Sequence, residues 1–401
     1  MSKNLLVIVI PFQFSNSDYE RLEVSYLKKF IEVKILDISL LIHPNLDSAN
    51  QFTDSTSLEI IQVSSLKNLF HNLKLFSKTH SKIVFMNMIQ LTNLNSLIFN
   101  LSLKFFNFNF ITFSNPGVPI NRFENNLNIF NKILHTIRYK GFHALLTIIY
   151  FSFIKKINSI IKNKPQYLLV AGEKYYKNLR VTANNKTRIL KGSSWDCSRY
   201  FRFKEESNSL QFDKKFIVLL EGITPIGKGD AMVNNHFSTF TPEKWFPSVC
   251  SFLQRLEEKY KCQTIVAAHP KSKHSKNPKY LGYRKVLSND TFDLIKNANL
   301  VIGRNSASFS MAVLMNKPIA TIYNSELKEN AIDLQAITNF ANEMGVYSIN
   351  IDSEYPFTEA DKLFKINQNK YKEFTKNFLT SRDDEMPNYK VILSEVFEII
   401  L

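Results

Sequence analysis

Acidic residues are nearly missing from the middle of the first half. Between Glu59 and Glu173 the only acid is Glu124, against 13 Lys and Arg, and this tract carries most of the formal net charge of +16. Cysteine is almost as scarce. Cys197, Cys250 and Cys262 are the three in 401 residues, with neither CxxC nor Cys/His ligand spacing. That excludes a disulfide framework and a zinc cluster, and the odd number fits thiols kept reduced in the cytoplasm. The opening apolar run, Leu5–Ile10, lacks a small-residue cleavage site, so it is expected to be a first buried strand running into Pro11. The longest apolar stretch, Phe142 to Ile154, is too short to span a bilayer. The acids and histidines also lack metal-ligand spacing, so no metal is expected.

What is present describes an ordinary globular protein, with 44% hydrophobic and 21% charged residues. A chain this long exceeds what one core usually serves, and two domains are expected. The basic tract, residues 60–172, is also rich in Phe, Leu and Ile. It suits either a solvated basic face or a partner surface for an anionic membrane at the inner side of the cytoplasmic membrane, or for an acidic glycan. Nucleic acid is disfavoured, because the charge follows aliphatic helices more than aromatic stacking platforms.

Strand and helix patterns alternate along both halves, which predicts parallel α/β sheets. In the first half, strands are predicted at Leu5–Ile10, Glu32–Asp37, Ile83–Met86, Phe108–Phe113 and Tyr167–Val170. A helix is predicted over Tyr19–Phe30 and a turn at Pro116-Gly117. Residues 125–163, rich in Lys, Ile and Phe, read as a helical tract that is either an amphipathic, surface-seeking segment or, the commoner case, a core-packing helix. Residues 202–213 are polar and aperiodic and read as a linker. The second half gives strands at Phe216–Leu220, Thr264–Ala268, Leu300–Ile302 and Pro318–Ile322. Its helices are expected at Glu243–Tyr260, Thr291–Lys296 and Phe309–Met315. A terminal helix over Asn388–Leu401 is expected to pack back on the first domain.

In a parallel sheet, ligands bind beyond the carboxyl ends of the strands. Two predicted strands, read as adjacent, end in His269-Pro270-Lys271 and in Gly303-Arg304-Asn305-Ser306-Ala307-Ser308. An imidazole can hydrogen-bond or neutralise a phosphate oxygen, and Lys271 and Lys273 add charge. Ser306 or Ser308 can cap the following helix while its free N–H groups face an anion; plain capping explains one serine. Glu221 ends the first strand of the second half, and Asp230 follows in the next loop. A carboxylate at a strand end facing a cleft can serve as a general base, although an exposed loop acid looks the same in sequence. His236 and His274 are further candidates with no supporting pattern.

Taken together, Leu220-Glu221-Gly222, Ala268-His269-Pro270 and the Ser306/Ser308 turn resemble bacterial glycosyltransferases of the GT-B fold that use CMP-activated sugars. These include the sialyltransferases and Kdo transferases of surface polysaccharide assembly. Ser194-Trp195-Asp196 and the segment from the His-Pro turn to Lys317-Pro318 also resemble surface-carbohydrate biosynthesis proteins. The resemblance implies two Rossmann-like domains facing a cleft: 1–201 for the acceptor, the linker 202–213, 214–386 for the donor, and the terminal helix from 387 to 401. It implies Glu221 as base, with His269, Ser306 and Ser308 on the donor phosphate. Pro270, Lys271, Arg304 and Asn305 complete that donor site. It further implies transfer of a nonulosonic acid or Kdo-type sugar to a surface glycan or lipid-linked acceptor. With CMP as leaving group no metal is required if His269, Lys271 and helix N–H groups neutralise the departing phosphate, and inverting transfer is expected. The acidic motif lacks the family's paired acid, which leaves Asp230 as an alternative base, and Arg304 stands where a smaller neutral residue is usual. A CDP-polyol phosphotransferase is the nearest rival, and a non-catalytic pathway protein the next.

Overall fold

The computed structural model describes residues 4–44, 52, 58–91, 93–115, 117–119, several positions from 146 to 160, and 163–176. It continues over 183–205, 215–222, 225, 241–269, 272, 278–288, 291–328, 331–354 and 360–401. Two parallel sheets organise these residues. The first holds β1 (Asn4–Ile10), β2 (Glu32–Asp37), β3 (Glu59–Gln62), β4 (Lys82–Asn87), β5 (Asn109–Ser114), β6 (Tyr167–Ala171) and β7 (Arg188–Gly192), in the order β3-β2-β1-β4-β5-β6-β7. The second holds β8 (Phe216–Glu221), β9 (Gln263–Ala268), β10 (Val286–Ser288), β11 (Leu300–Gly303), β12 (Ile319–Tyr323) and β13 (Tyr347–Asn350), in the order β10-β9-β8-β11-β12-β13. The expected pair of Rossmann-like domains is present.

The central strands are apolar throughout because helices cover both of their faces. Alternation along each strand divides its side chains between two layers. Leu6, Ile8 and Ile10 of β1 enter one core with Tyr389 and Val396, while Leu5, Val7 and Val9 enter another with Leu69, Leu73 and Phe99. In the second domain Ile217 and Leu219 meet Trp245, Val249, Phe252 and Leu256 of the helix Pro242–Tyr260. The opposite face, with Phe216, Val218 and Leu220, joins Leu168, Val170 and Tyr175 of the first domain in one shared core.

Several expectations change. The helix over Tyr19–Phe30 is two short helices, Asn16–Arg21 and Val24–Leu27, broken where Glu23 adopts φ 58. That left-handed turn drives the Glu23 carboxylate inward. Its Oε1 accepts from the Ser198 hydroxyl and lies 3.2 Å from Arg202 Nε, while Oε2 accepts from the Tyr389 backbone N–H at 2.6 Å. The expected linker also begins too early, because residues 202–205 finish the helix Trp195–Glu205 and Arg202 is buried. Finally, β9 and β11 are not adjacent: β8 lies between them.

The terminal helix is shorter than expected, Asn388–Glu395, and its buried Tyr389, Val391, Ile392 and Leu393 lie in the β1 core. The chain rejoins the first sheet before residue 387. Thr380 bridges Ser193, and the Ser381 N–H donates to the Gly192 carbonyl at 3.0 Å. Most of the tract 125–163, and Pro116 of the expected turn, lie outside the described residues.

Candidate active site

The second sheet reverses its strand order between β8 and β11, and this switch point is where a crevice opens in a doubly wound sheet. Register fixes what stands there. Glu221 pairs with Ala268 across β8–β9, and Leu220 pairs with Gly303 across β8–β11. The His269 N–H donates to the Glu221 carbonyl at 3.0 Å. His269 and the serine turn therefore flank Glu221, with about 10 Å between the β9 and β11 axes at a spacing near 4.8 Å per strand. A phosphate-bearing ligand can bridge that width.

Glu221 and Arg304 form the floor between them. Arg304 Nη2 donates to Glu221 Oε1 at 3.2 Å, and the two residues are only 8% and 3% exposed respectively. The guanidinium also lies over the Trp245 ring at 4.8 Å. Its planar fork suits both contacts at once, which an ammonium could not copy. Glycines let these parts approach. A Cβ at Gly303 would meet the Leu220 carbonyl oxygen at 2.9 Å, and one at Gly222 would meet Arg304 Nη2 at 3.2 Å.

The turn after β11 is capped from Ser306, whose hydroxyl accepts from the Ser308 N–H at 3.2 Å. Ser308 occupies the cap position of the helix Phe309–Leu314, but its side chain makes no capping bond. Asn305 is exposed and Ser306 and Ser308 half-buried, so this edge faces outward. Asp230, Pro270, Lys271, Lys273, His236 and His274 lie outside the described residues.

Two participants were not foreseen as such. Trp245 lies inside the helix expected over Glu243–Tyr260 as one apolar residue among several, and only the tertiary pairing shows it under Arg304. Ser310 Oγ donates to the Ala307 carbonyl at 2.6 Å and reaches Asp196 Oδ2 of the first domain at 3.4 Å. Burial raises the Asp196 carboxyl above its ordinary range, opposed by Arg199, Arg21 and the Ser310 bond. The Ser194-Trp195-Asp196 motif was the available signal.

The first sheet has its own reversal, between β1 and β4. Beside it, Asp37 accepts from the Phe14 N–H at 3.2 Å and the Ser39 N–H at 2.9 Å. Phe12 and His43 stack at 5.9 Å, and burial lowers the His43 pKa. A cavity of about 560 Å³ opens elsewhere, lined by Tyr347, Lys362, Lys365 and Asn367. It borders the edge strand β13, away from the switch point.

No family model and no curated protein matches the sequence. Solved structures do match it. S. aureus MnaA with UDP aligns over 100% of this chain and 98% of its own, at TM-score 0.51 and 12% identity. A histidine variant of the wall teichoic acid polymerase TagF aligns over 99% of this chain and 90% of its own, at TM-score 0.55 and 14% identity. The variant soaked with CDPG gives TM-score 0.54 and 14% identity over 99% of this chain and 88% of that one. The fold is GT-B. At these identities the likeness is one of architecture.

Proposed function

We propose that the chain is a GT-B transferase of surface-polymer assembly that uses a cytidine-activated donor and a glycan or lipid-linked acceptor. The observation that carries this reading is the convergence of His269, Glu221 and the Arg304–Ser308 turn at the β8/β11 switch point. His269, Ser306 and Ser308 would meet the donor phosphate, with Pro270, Lys271 and Asn305 completing the rim. Arg304 would act from beneath through its pair with Glu221.

Two cytidine donors share one leaving group. With a CMP-activated nonulosonic or Kdo-type sugar, the acceptor hydroxyl attacks the anomeric carbon, inverting it, and CMP departs. With a CDP-polyol, the hydroxyl attacks the distal phosphorus and CMP again departs. In both cases Glu221 is the proposed base, or Asp230 in its place, and cationic groups neutralise the phosphate. The likeness to TagF, solved with CDPG, favours the CDP-polyol. The trio of sequence motifs favours the CMP-sugar.

The reading assigns the charge neutralisation to protein groups and requires no metal. Turnover is expected to survive EDTA unchanged; loss restored by Mg²⁺ would contradict that assignment. The test of the whole proposal is a thermal-shift series with CMP, CDP, UDP and GDP, since a ligand that binds only the folded chain raises its melting temperature. Selective stabilisation by cytidine nucleotides is expected, and selective stabilisation by UDP would overturn it. Hydrolysis of CMP-sugar against CDP-glycerol then separates the two donors.

A further inference from the structure

Exposed lysines and aromatic rings of the basic tract lie on neighbouring, hydrogen-bonded or ring-packed elements of the first domain. The helix Leu94–Phe105 ends at Lys104 and Phe105, both exposed, and Phe105 is 79% accessible. Its ring stands edge-on to Phe106 at 5.2 Å, and Phe106 stacks on Phe108 at 5.7 Å. Phe106 also meets Phe70 of the helix Leu66–Thr79 at 6.3 Å. An aromatic ridge thus rises from the core at Phe108 to solvent at Phe105.

A second apolar stripe lies beside it. The described residues between 146 and 160 are helical, and Ile149, Phe153 and Ile160 share one helical face by spacing. All three are exposed, Phe153 at 60% and Ile160 at 68%, while Ile154 is buried. This is amphipathicity turned outward. The stripe is joined to the helix Leu94–Phe105, because the Leu94 N–H donates to the Tyr150 hydroxyl at 2.9 Å and Asn163 Nδ2 donates to the Asn100 carbonyl. Lys74, Lys104 and Lys156 are exposed on the same elements, and neither helix 66–79 nor helix 94–105 contains an acid.

We propose that this face docks on an anionic phospholipid bilayer, with Phe105, Phe153 and Ile160 entering the acyl boundary and the lysines meeting lipid phosphates. Charge complementarity selects this occupant. A second copy would bring a like-charged face, and a soluble polyanion would not need protruding phenyl rings. The inference does not rest on the transferase reading.

The test is co-sedimentation of the full chain with phosphatidylcholine vesicles, with and without phosphatidylglycerol. Binding is expected to the anionic vesicles alone and to weaken as salt rises. Phe105→Ser with Phe153→Ser, and separately Lys74→Glu with Lys104→Glu and Lys156→Glu, should each weaken it about tenfold or more, with thermal melts unchanged. Equal binding by wild type and variants, or no binding to the anionic vesicles, would overturn the proposal. So would sedimentation velocity showing a wild-type dimer that the Phe double variant dissociates, without vesicle binding. Because the nucleotide thermal shift reads the strand-end site separately, a failure here is distinguishable from a failure of the transferase reading.

Discussion

At the residue scale, the floor of the site is a buried carboxylate held by one guanidinium that is itself stacked on an indole. Two roles for Glu221 make different demands. As base, Glu221→Gln should lower turnover about a hundredfold or more while leaving CMP affinity within about threefold. As a positioning residue acting through Arg304, the same change would weaken nucleotide binding in parallel with turnover. Titration of CMP beside steady-state kinetics separates these outcomes. Gly303 is a second point of leverage. Its missing side chain lets β11 lie against the Leu220 backbone, so Gly303→Ala forces the strands apart and is expected to cost about 1–3 kcal/mol. Denaturant unfolding measures that loss. The sequence pointed to Glu221 and the serines by their places after apolar runs, but Trp245 could not be linked to Arg304 without the fold.

At the element scale, long apolar strands were readable and short edges were not. β1, β2, β8 and β9 lie where their hydrophobic runs put them. β3, with mostly exposed Glu59–Gln62, and β10, with only partly buried Val286–Ser288, carry weaker patterns because an edge strand buries less of itself. The break at Glu23 is a tertiary decision: a left-handed residue is tolerated because its carboxylate enters a buried network joining the helices Val24–Leu27, Trp195–Glu205 and Asn388–Glu395. Glu23→Ala would remove the carboxylate that the Ser198 hydroxyl, the Tyr389 N–H and Arg202 share. It would leave buried Arg202 only its contacts with Glu20 and Tyr26 among the described residues, and is expected to destabilise the chain by about 3–5 kcal/mol. Chemical denaturation reads this directly, and a change below about 1 kcal/mol would deny the network that role.

At the scale of the whole molecule, the two sheets share a core, and Asp196 of the first domain contacts Ser310 of the second. Because burial raises the Asp196 pKa above its unfolded value of 3.8, the folded chain holds that proton more tightly than the unfolded chain. Its contribution to stability is therefore complete below the unfolded value and is lost as pH climbs through the raised folded value. Asp196→Asn should raise the melting temperature at pH 7 by about 2 °C or more and flatten its pH dependence on the acid side. An unchanged pH profile would show that Asp196 does not titrate in the fold.

Chain length and the alternation of apolar strand runs with helical patterns by themselves determined that this chain makes two parallel α/β domains, since those patterns can be buried in few other ways. They also placed His269, Glu221 and Ser306 at strand ends. Strand order was beyond them: it arises from long-range pairing that no local pattern encodes, and it inserted β8 between β9 and β11. The same long-range packing coupled Glu221 to Arg304 and Trp245, and turned Ile149, Phe153 and Ile160 toward solvent while burying Ile154.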